Sequence, residues 1–353
     1  ADRVRDFCEA NGITGIRINQ DSKRWYPQGE FLASVLGFTN VDNAGVSGLE
    51  LKYNDTLTGQ NGVVLTAVNA WGYTLAQSYE TELVPVEGCG LRLTIDANIQ
   101  HYLENALNYA VQEHHVAARS VGIVLEVNTG AVLAMASSPD YDPNQYGTIR
   151  DESLRAQVEA DVQAELEKRQ GEKAEGKTDE EIYQEAVNAA TGTAQNKQWR
   201  SQAVNDTYEP GSTFKALVLA AALEEGVVSE SDTFYCPGYY MVEGWPKPIS
   251  CSKKAPGHGT QTLAEAVQNS CNPAFMQIGQ RLGIEKFYEY FQAFGLTEPT
   301  NIDLNGEGVS TVWPLNTMTG VDLAVGSFGQ RFTVTPIQMI TAFAATINGG
   351  KLL

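Results

Sequence analysis

The line Tyr208-Glu209-Pro210-Gly211-Ser212-Thr213-Phe214-Lys215 sets a hydroxyl and an amine three residues apart. If a helix runs through them, Ser212 and Lys215 share one face and the amine reaches the hydroxyl. A serine hydroxyl is a poor nucleophile until a base takes its proton, and a lysine can be that base where burial lowers its pKa. A helix N-terminus at Ser212 would add positive potential where an oxyanion develops. Such a pair recurs by chance and gains weight only from a second element. Asn269-Ser270-Cys271-Asn272 supplies one, in a short loop between two helical stretches. There Ser270 can relay a proton to a leaving group and the Asn272 amide can hold a substrate carbonyl. Asn272 also reads as the N-cap of the following helix, with Pro273 at its first position.

A second group of chemistry-bearing residues follows the nucleophile: Cys236, Cys251, His258 and Cys271. Three thiolates and an imidazole satisfy a structural zinc tetrahedron, and Asp232 could replace one ligand. The spacings match no standard zinc motif. A Cys236–Cys251 disulfide is the main rival, and free thiols in a core are the third reading. The connecting PGYYMVEGWPKPISCSKKAPGHG is rich in Pro and Gly, so something other than a core must fix it.

The elements that must position these residues are legible in part. Ser212 to Glu225, STFKALVLAAALEE, is apolar almost all round and closes at Gly226, the pattern of a helix buried mid-domain. Thr262 to Gln268 reads as a short helix. A further one opens at Asn272-Pro273, runs through Phe275, Ile278 and Leu282, and stops at Gly283. Pro336 to Ile347 repeats that form and ends at Asn348-Gly349-Gly350. Upstream, Leu91 to Ile95 alternates like a strand, and Asp96 caps a helix through Ile99, Leu103, Leu107 and Val111. Val121 to Val127 and Ala131 to Ala136, joined by Asn128-Thr129-Gly130, predict a hairpin. Residues 1–90 are dense in Gly, Asn and Thr and predict small, irregular sheets.

With 353 residues, 42% hydrophobic and 19% charged, the chain is globular and long enough for two domains. The net charge of -19 opposes nucleic acid and anionic membrane surfaces as partners. No run of about 18 apolar residues is present. Five cysteines do not make a disulfide scaffold. From Asp151 to Glu185 stand twelve acidic and five basic residues, over a third of the imbalance. They predict one or two exposed helices, broken at Gly171 to Gly176, that form a solvated insertion or a docking surface.

Ser-x-x-Lys followed by Ser-x-Asn is the signature of the penicillin-recognising serine enzymes. The chain resembles class B penicillin-binding proteins, the peptidoglycan DD-transpeptidases of division or sporulation type, over nearly its whole length. GITGIRINQDSKRWYPQGEFLASVLGF and GVSGLELKYNDTLTG resemble the family's non-catalytic pedestal; LRLTIDANIQHYLE and VLEVNTGAVLAMASSPDYDPN resemble the opening of its transpeptidase domain. AVNDTYEPGSTFK and AVQNSCNPAFMQIGQRLG carry the two boxes, and GSFGQRFTVTPIQMITAFAATINGGK resembles the segment before the last strands. The resemblance implies an α+β fold: a β-rich pedestal over about residues 1–90, then a β-lactamase-like transpeptidase domain over 91–353. In the latter, helices surround an antiparallel sheet, with an acidic helical insertion at about 148–200. It implies Ser212 as the acylated nucleophile, Lys215 as acylation base, Ser270 as proton relay and Asn272 as substrate-amide contact, with no cofactor needed for the chemistry. Implied partners are peptidoglycan stem peptides, β-lactams and a membrane-embedded cell-wall synthesis protein, at the extracytoplasmic face of a bacterial cell membrane. Some penicillin-binding proteins of anaerobic Gram-positive bacteria have a zinc site of this kind, which leans Cys236, Cys251, His258 and Cys271 toward zinc.

Two departures matter. The family's third box, Lys-Thr-Gly or Lys-Thr-Ser on a cleft-lining strand, is absent: Lys351 precedes Leu352-Leu353. The chain also opens without the family's membrane anchor. The expectation is a fragment with an incomplete site, impaired acylation and an unpaired edge on the central sheet. The alternatives are a β-lactam sensor or β-lactamase-like domain, which would not need residues 1–90, and a non-enzymatic cell-wall scaffold, which would not need an intact Ser212, Lys215, Ser270 and Asn272.

Overall fold

The structure is a computed structural model that describes residues 2–16, 18, 22–65, 81–117, 119–169 and 178–353. The chain opens with helices α1 (Asp2–Ala10), α2 (Ala33–Leu36), α3 (Gly48–Lys52) and α4 (Asn54–Thr58), then the antiparallel pair β1 (Val63–Leu65) and β2 (Thr81–Leu83). Sheet was expected to dominate here, but among the described residues short helical turns do. Their density of Gly and Asn serves tight approaches. A Cβ on Gly37 would lie 1.9 Å from the Ser47 carbonyl oxygen, so α2 and α3 meet backbone to backbone. The expected break at Gly171 to Gly176 lies outside the described residues.

Helix α5 (Ala97–Glu113) starts where expected, with the Asp96 carboxylate accepting from the Asn98 and Ile99 N–H groups. Strands β3 (Ser120–Leu125) and β4 (Val132–Ser138) form the expected hairpin, and among the described residues β3 pairs with β4 alone. Leu91 to Ile95 does not become a ladder strand. Instead Thr94 Oγ1 and the Asp96 N–H donate to Val132 and Leu133 on the outer side of β4. Buried Gln100 continues that edge, exchanging two hydrogen bonds with the Met135 backbone. A side chain thus does what a third strand would do.

The acidic stretch forms α6 (Glu152–Arg169) and α7 (Asp179–Trp199), packed together through Val162, Ala186 and Ala190. The pair is anchored at its base: Gln198 bonds the backbone of Arg150 and Thr148, and Trp199 donates to the Tyr146 carbonyl. Then come α8 (Gln202–Asn205), a 3-10 turn at Gly211–Phe214, and α9 (Lys215–Glu224).

Four short strands follow: β5 (Thr233–Cys236), β6 (Tyr239–Tyr240), β7 (Ile249–Ser250) and β8 (Gly259–Thr262), paired β5 with β8 and β6 with β7. Helices α10 (Leu263–Gln268), α11 (Asn272–Leu282), α12 (Ile284–Ala293), α13 (Gly320–Gly326) and α14 (Pro336–Ile347) complete the body. The main core packs against one face of α9, where Leu217, Val218, Ala221 and Ala222 are buried, whereas Leu223 is 43% exposed, so the helix expected to be buried all round has one open side. Phe214, Phe287, Phe291 and Phe332 pack edge to face and tilted beneath the 3-10 turn. That aromatic floor fixes the height of the turn that carries Ser212.

Candidate active site

Ser212 lies on the 3-10 turn and Lys215 opens α9, so the turn is tighter than the first α-helical turn expected. Lys215 Nζ is 3.2 Å from Ser212 Oγ. The same nitrogen donates to Ser270 Oγ at 2.9 Å, to the Ser270 carbonyl at 2.7 Å and to Asn272 Oδ1 at 2.7 Å. All four predicted residues meet around one nitrogen, which lies 5.4 Å from the Phe275 ring centroid. Burial lowers the Lys215 ammonium to about 8, against the upward pull that Cys271 and Cys251 exert when they are thiolates. A lysine so poised can take a proton from Ser212 and pass it to Ser270.

Two helices meet at the Ser270–Asn272 corner. Helix α10 ends in a Schellman motif, with the Ser270 N–H on the Val267 carbonyl and the Cys271 N–H on the Ala266 carbonyl. Ser270 occupies its left-handed position, φ 47°, where glycine is usual. The strain is retained where the hydroxyl is useful. Asn272 was expected to cap α11, but Cys271 holds the N-cap position and makes no side-chain cap bond. Asn272 is the first residue of the helix, and its amide is free to face Lys215. Serine and asparagine point to Lys215, whereas Cys271 is fully buried beside Cys251, Sγ to Sγ 4.0 Å.

Cys236, Cys251, His258 and Cys271 do come together, with one ligand atom from each lying within 4.8 Å of all the others. The edge of a zinc tetrahedron with metal–sulfur bonds of about 2.3 Å is roughly 3.8 Å, so these separations suit a single ion. Cys251 Sγ is 3.6 Å from His258 Nδ1. The Cys236–Cys251 disulfide is not formed; both thiols are free. Burial pushes the Cys271 thiol up to about 12, whereas at Cys251 burial, the largest single influence, is outweighed by the Lys253 N–H, the Ser252 hydroxyl, the Asn272 N–H and the Cys236 thiol together, which hold it below the ordinary thiol range. The donor set therefore fits a thiophilic divalent ion, which would hold all three sulfurs as thiolates. Asp232 is elsewhere, at 2.7 Å from Arg281 Nη1 and bonded to Ser229. The expectation that it could replace one ligand is not met, since the cluster is formed by Cys236, Cys251, His258 and Cys271.

A brace around the turn that carries Ser212 was not anticipated. Tyr208 and Val334 exchange backbone hydrogen bonds, and the Gly211 N–H donates to the Gly329 carbonyl at 2.8 Å. The Glu209 carboxylate accepts from the Arg331 N–H at 2.8 Å. Glu209 stands in the same sequence line as Ser212, but only the fold reveals its partner more than a hundred residues away.

Residues 121–353 match the penicillin binding protein transpeptidase domain, and residues 4–93 the penicillin-binding protein dimerisation domain. The chain is 36% identical over 345 residues to stage V sporulation protein D of Bacillus subtilis, covering 98% of this chain and 46% of that protein. It is 27% identical over 341 residues to peptidoglycan D,D-transpeptidase FtsI of Escherichia coli K12, covering 97% and 49%. The chain thus spans about half the length of the curated relatives it matches. Among solved structures, penicillin binding protein 3 of Mycobacterium tuberculosis superposes with a TM-score of 0.68 at 25% identity, covering 92% of this chain and 58% of that one. That protein has also been solved with aztreonam and with ampicillin.

Proposed function

This chain belongs to the class B penicillin-binding proteins, a dimerisation domain followed by a transpeptidase domain, and from that premise we propose that Ser212 performs the acyl transfer that cross-links peptidoglycan. The four-way contact of Lys215 Nζ with Ser212, Ser270 and Asn272 carries the reading. Neutral Lys215 takes the Ser212 proton as Oγ attacks the penultimate D-Ala carbonyl of a stem peptide. The Ser212 ester bond forms and the peptide bond to the terminal D-Ala breaks. The proton travels through Ser270 Oγ to the departing amine. A neighbouring stem's amine then reverses the sequence and leaves with the acyl group. Asn272, held by Lys215 at its oxygen, offers its amide N–H groups to the substrate carbonyl.

We assign residues 1–90 to the non-catalytic pedestal and 91–353 to the transpeptidase unit, with residues 148–200 as its insertion. The protein works at the extracytoplasmic face of the bacterial membrane, where stem peptides, β-lactams and a membrane-embedded synthesis partner are met. Among the described residues no helix is long and apolar enough to cross a membrane. Cys236, Cys251, His258 and Cys271 hold a structural zinc ion that braces the loop bearing Ser270 and Asn272. The chemistry itself needs no cofactor.

The test is a labelled penicillin on the full-length protein. Ser212→Ala should abolish covalent labelling, and Lys215→Ala should slow it by about two to four orders of magnitude. Labelling that survives in Ser212→Ala places the nucleophile elsewhere. Rapid turnover of the label would instead mark a β-lactamase, and no labelling of the unmutated protein an inert scaffold.

A further inference from the structure

The turn that carries Ser212 is not held by its own helix alone. Its approach segment, Tyr208 to Gly211, runs beside Gly329 to Val334, and the two are joined by the Tyr208–Val334 backbone pair and the Gly211 bond to Gly329. There is no room to separate these roles from glycine. A Cβ on Gly329, φ 83°, would lie 2.0 Å from the Gly211 carbonyl oxygen. Phe332, next in the same segment, packs its ring on Phe214 at 4.9 Å between centroids.

Between these contacts stands Arg331, a non-glycine residue in the left-handed region at φ 67°. Two carboxylates hold it from opposite ends. Asp322 of α13 takes its guanidinium at 3.2 Å, and the Glu209 carboxylate takes its backbone N–H at 2.8 Å. A left-handed arginine is strained, so a conformation of this kind persists only where its surroundings impose it. A charged acceptor on a backbone N–H is among the stronger hydrogen bonds available to impose it. Glu209 lies three residues before Ser212, in the approach segment that leads into the turn.

We propose that Glu209 is a positioning residue for acylation: by gripping the Arg331 backbone it locks the Ser212 turn in register with Lys215. The bond it accepts comes from the Arg331 N–H and not from Ser212 or Lys215, whose side-chain hydrogen bonds run among themselves, Ser270 and Asn272, so its role is to set where Oγ sits rather than to move a proton. This inference rests on Ser212 being the nucleophile.

The two claims separate experimentally. In the full-length protein, β-lactam acylation is resolved by stopped flow into the non-covalent dissociation constant and the acylation rate constant, alongside the thermal midpoint. Glu209→Ala should leave the dissociation constant within about twofold and slow acylation by roughly ten- to a hundredfold, the scale of an ångström-level misplacement. Glu209→Gln keeps an acceptor oxygen at the same reach and should recover the rate to within about threefold. Acylation at the unmutated rate in Glu209→Ala overturns the proposal. So does a Glu209→Gln protein as slow as Glu209→Ala, because the hydrogen bond is then not what matters. A loss of thermal midpoint in Glu209→Ala with an unchanged rate constant makes Glu209 structural and equally overturns it. Covalent labelling of Ser212→Ala would instead remove the premise and leave the Glu209 measurements to be read against another nucleophile.

Discussion

Lys215 Nζ lies closer to Asn272 Oδ1, at 2.7 Å, than to Ser212 Oγ, at 3.2 Å. Lys215 is therefore anchored by the second box and leans on the hydroxyl of the first. Under the proposed acyl transfer that arrangement has a use: a flexible four-carbon side chain held by Asn272 and Ser270 would keep its nitrogen in place once Ser212 formed an ester.

Acylation should depend on pH through Lys215. Its pKa is lowered from the ordinary lysine value to about 8, chiefly by burial. The base must be neutral, so the acylation rate constant should rise with pH through a single limb near 8 and then level. Asn272→Asp sets a carboxylate beside the ammonium, favours the charged form, and should move that limb upward. A flat profile between pH 6 and 9 would remove Lys215 from the role of base.

The two small replacements of Ser270 should part company in stability. Both lose the hydroxyl and should acylate slowly, by about a hundredfold or more. Only Ser270→Gly relieves the left-handed backbone at φ 47°. It should exceed Ser270→Ala in unfolding free energy by about 1 kcal/mol in a denaturant titration. Equal stabilities would mean that the corner is not strained.

Purified protein should contain about one equivalent of zinc, and a strong chelator should lower its thermal midpoint, since a structural metal contributes directly to folding. Cys236→Ser, remote from Ser270 in sequence, should lose the metal and slow acylation together. Less than about a tenth of an equivalent, with no effect of chelation, would leave Cys236, Cys251, His258 and Cys271 as buried thiols and an imidazole.

A pH effect on stability should arise at Asp140. Its carboxylate accepts from the Tyr141 and Ser34 N–H groups, and burial raises its pKa to about 6 despite nearby Arg119. The folded pKa exceeds the unfolded one, so this residue's contribution is fully present below about pH 4 and is lost as pH rises through 6. Relative to Asp140→Asn, the unmutated protein should gain about 1 kcal/mol of unfolding free energy between pH 7 and pH 5. An unchanged difference between the two proteins across that range would show an Asp140 that stays ionised.

Much of this was written locally. The apolar run through Leu217 to Ala222 marks a helix that the core must cover on at least one face, and Asp96 and Thr262 cap their helices through neighbours two or three residues away. Such features depend on near neighbours and so are visible in the chain itself. The pairing of the two boxes was legible as residue types, but that Lys215 serves Ser212, Ser270 and Asn272 together depends on α9 and α11 packing side by side. Asn272 shows the limit plainly. As an isolated string, Asn-Pro reads as a cap, because local hydrogen bonding is all a string can offer. Tertiary contact supplied a stronger partner in a buried amine, and Cys271 took the cap position instead. The same holds for Cys236, Cys251, His258 and Cys271, whose spacings fit no motif because three different connections, not one loop, bring them within 4.8 Å. Glu209 and Arg331 are the extreme case: their bond spans 122 residues and ends on a backbone N–H, which has no side-chain identity to read. Residue types and their spacing show which groups are available and which helices carry an apolar face to cover. Which groups meet is settled in three dimensions, because contacts between distant segments are set by packing and not by spacing along the chain.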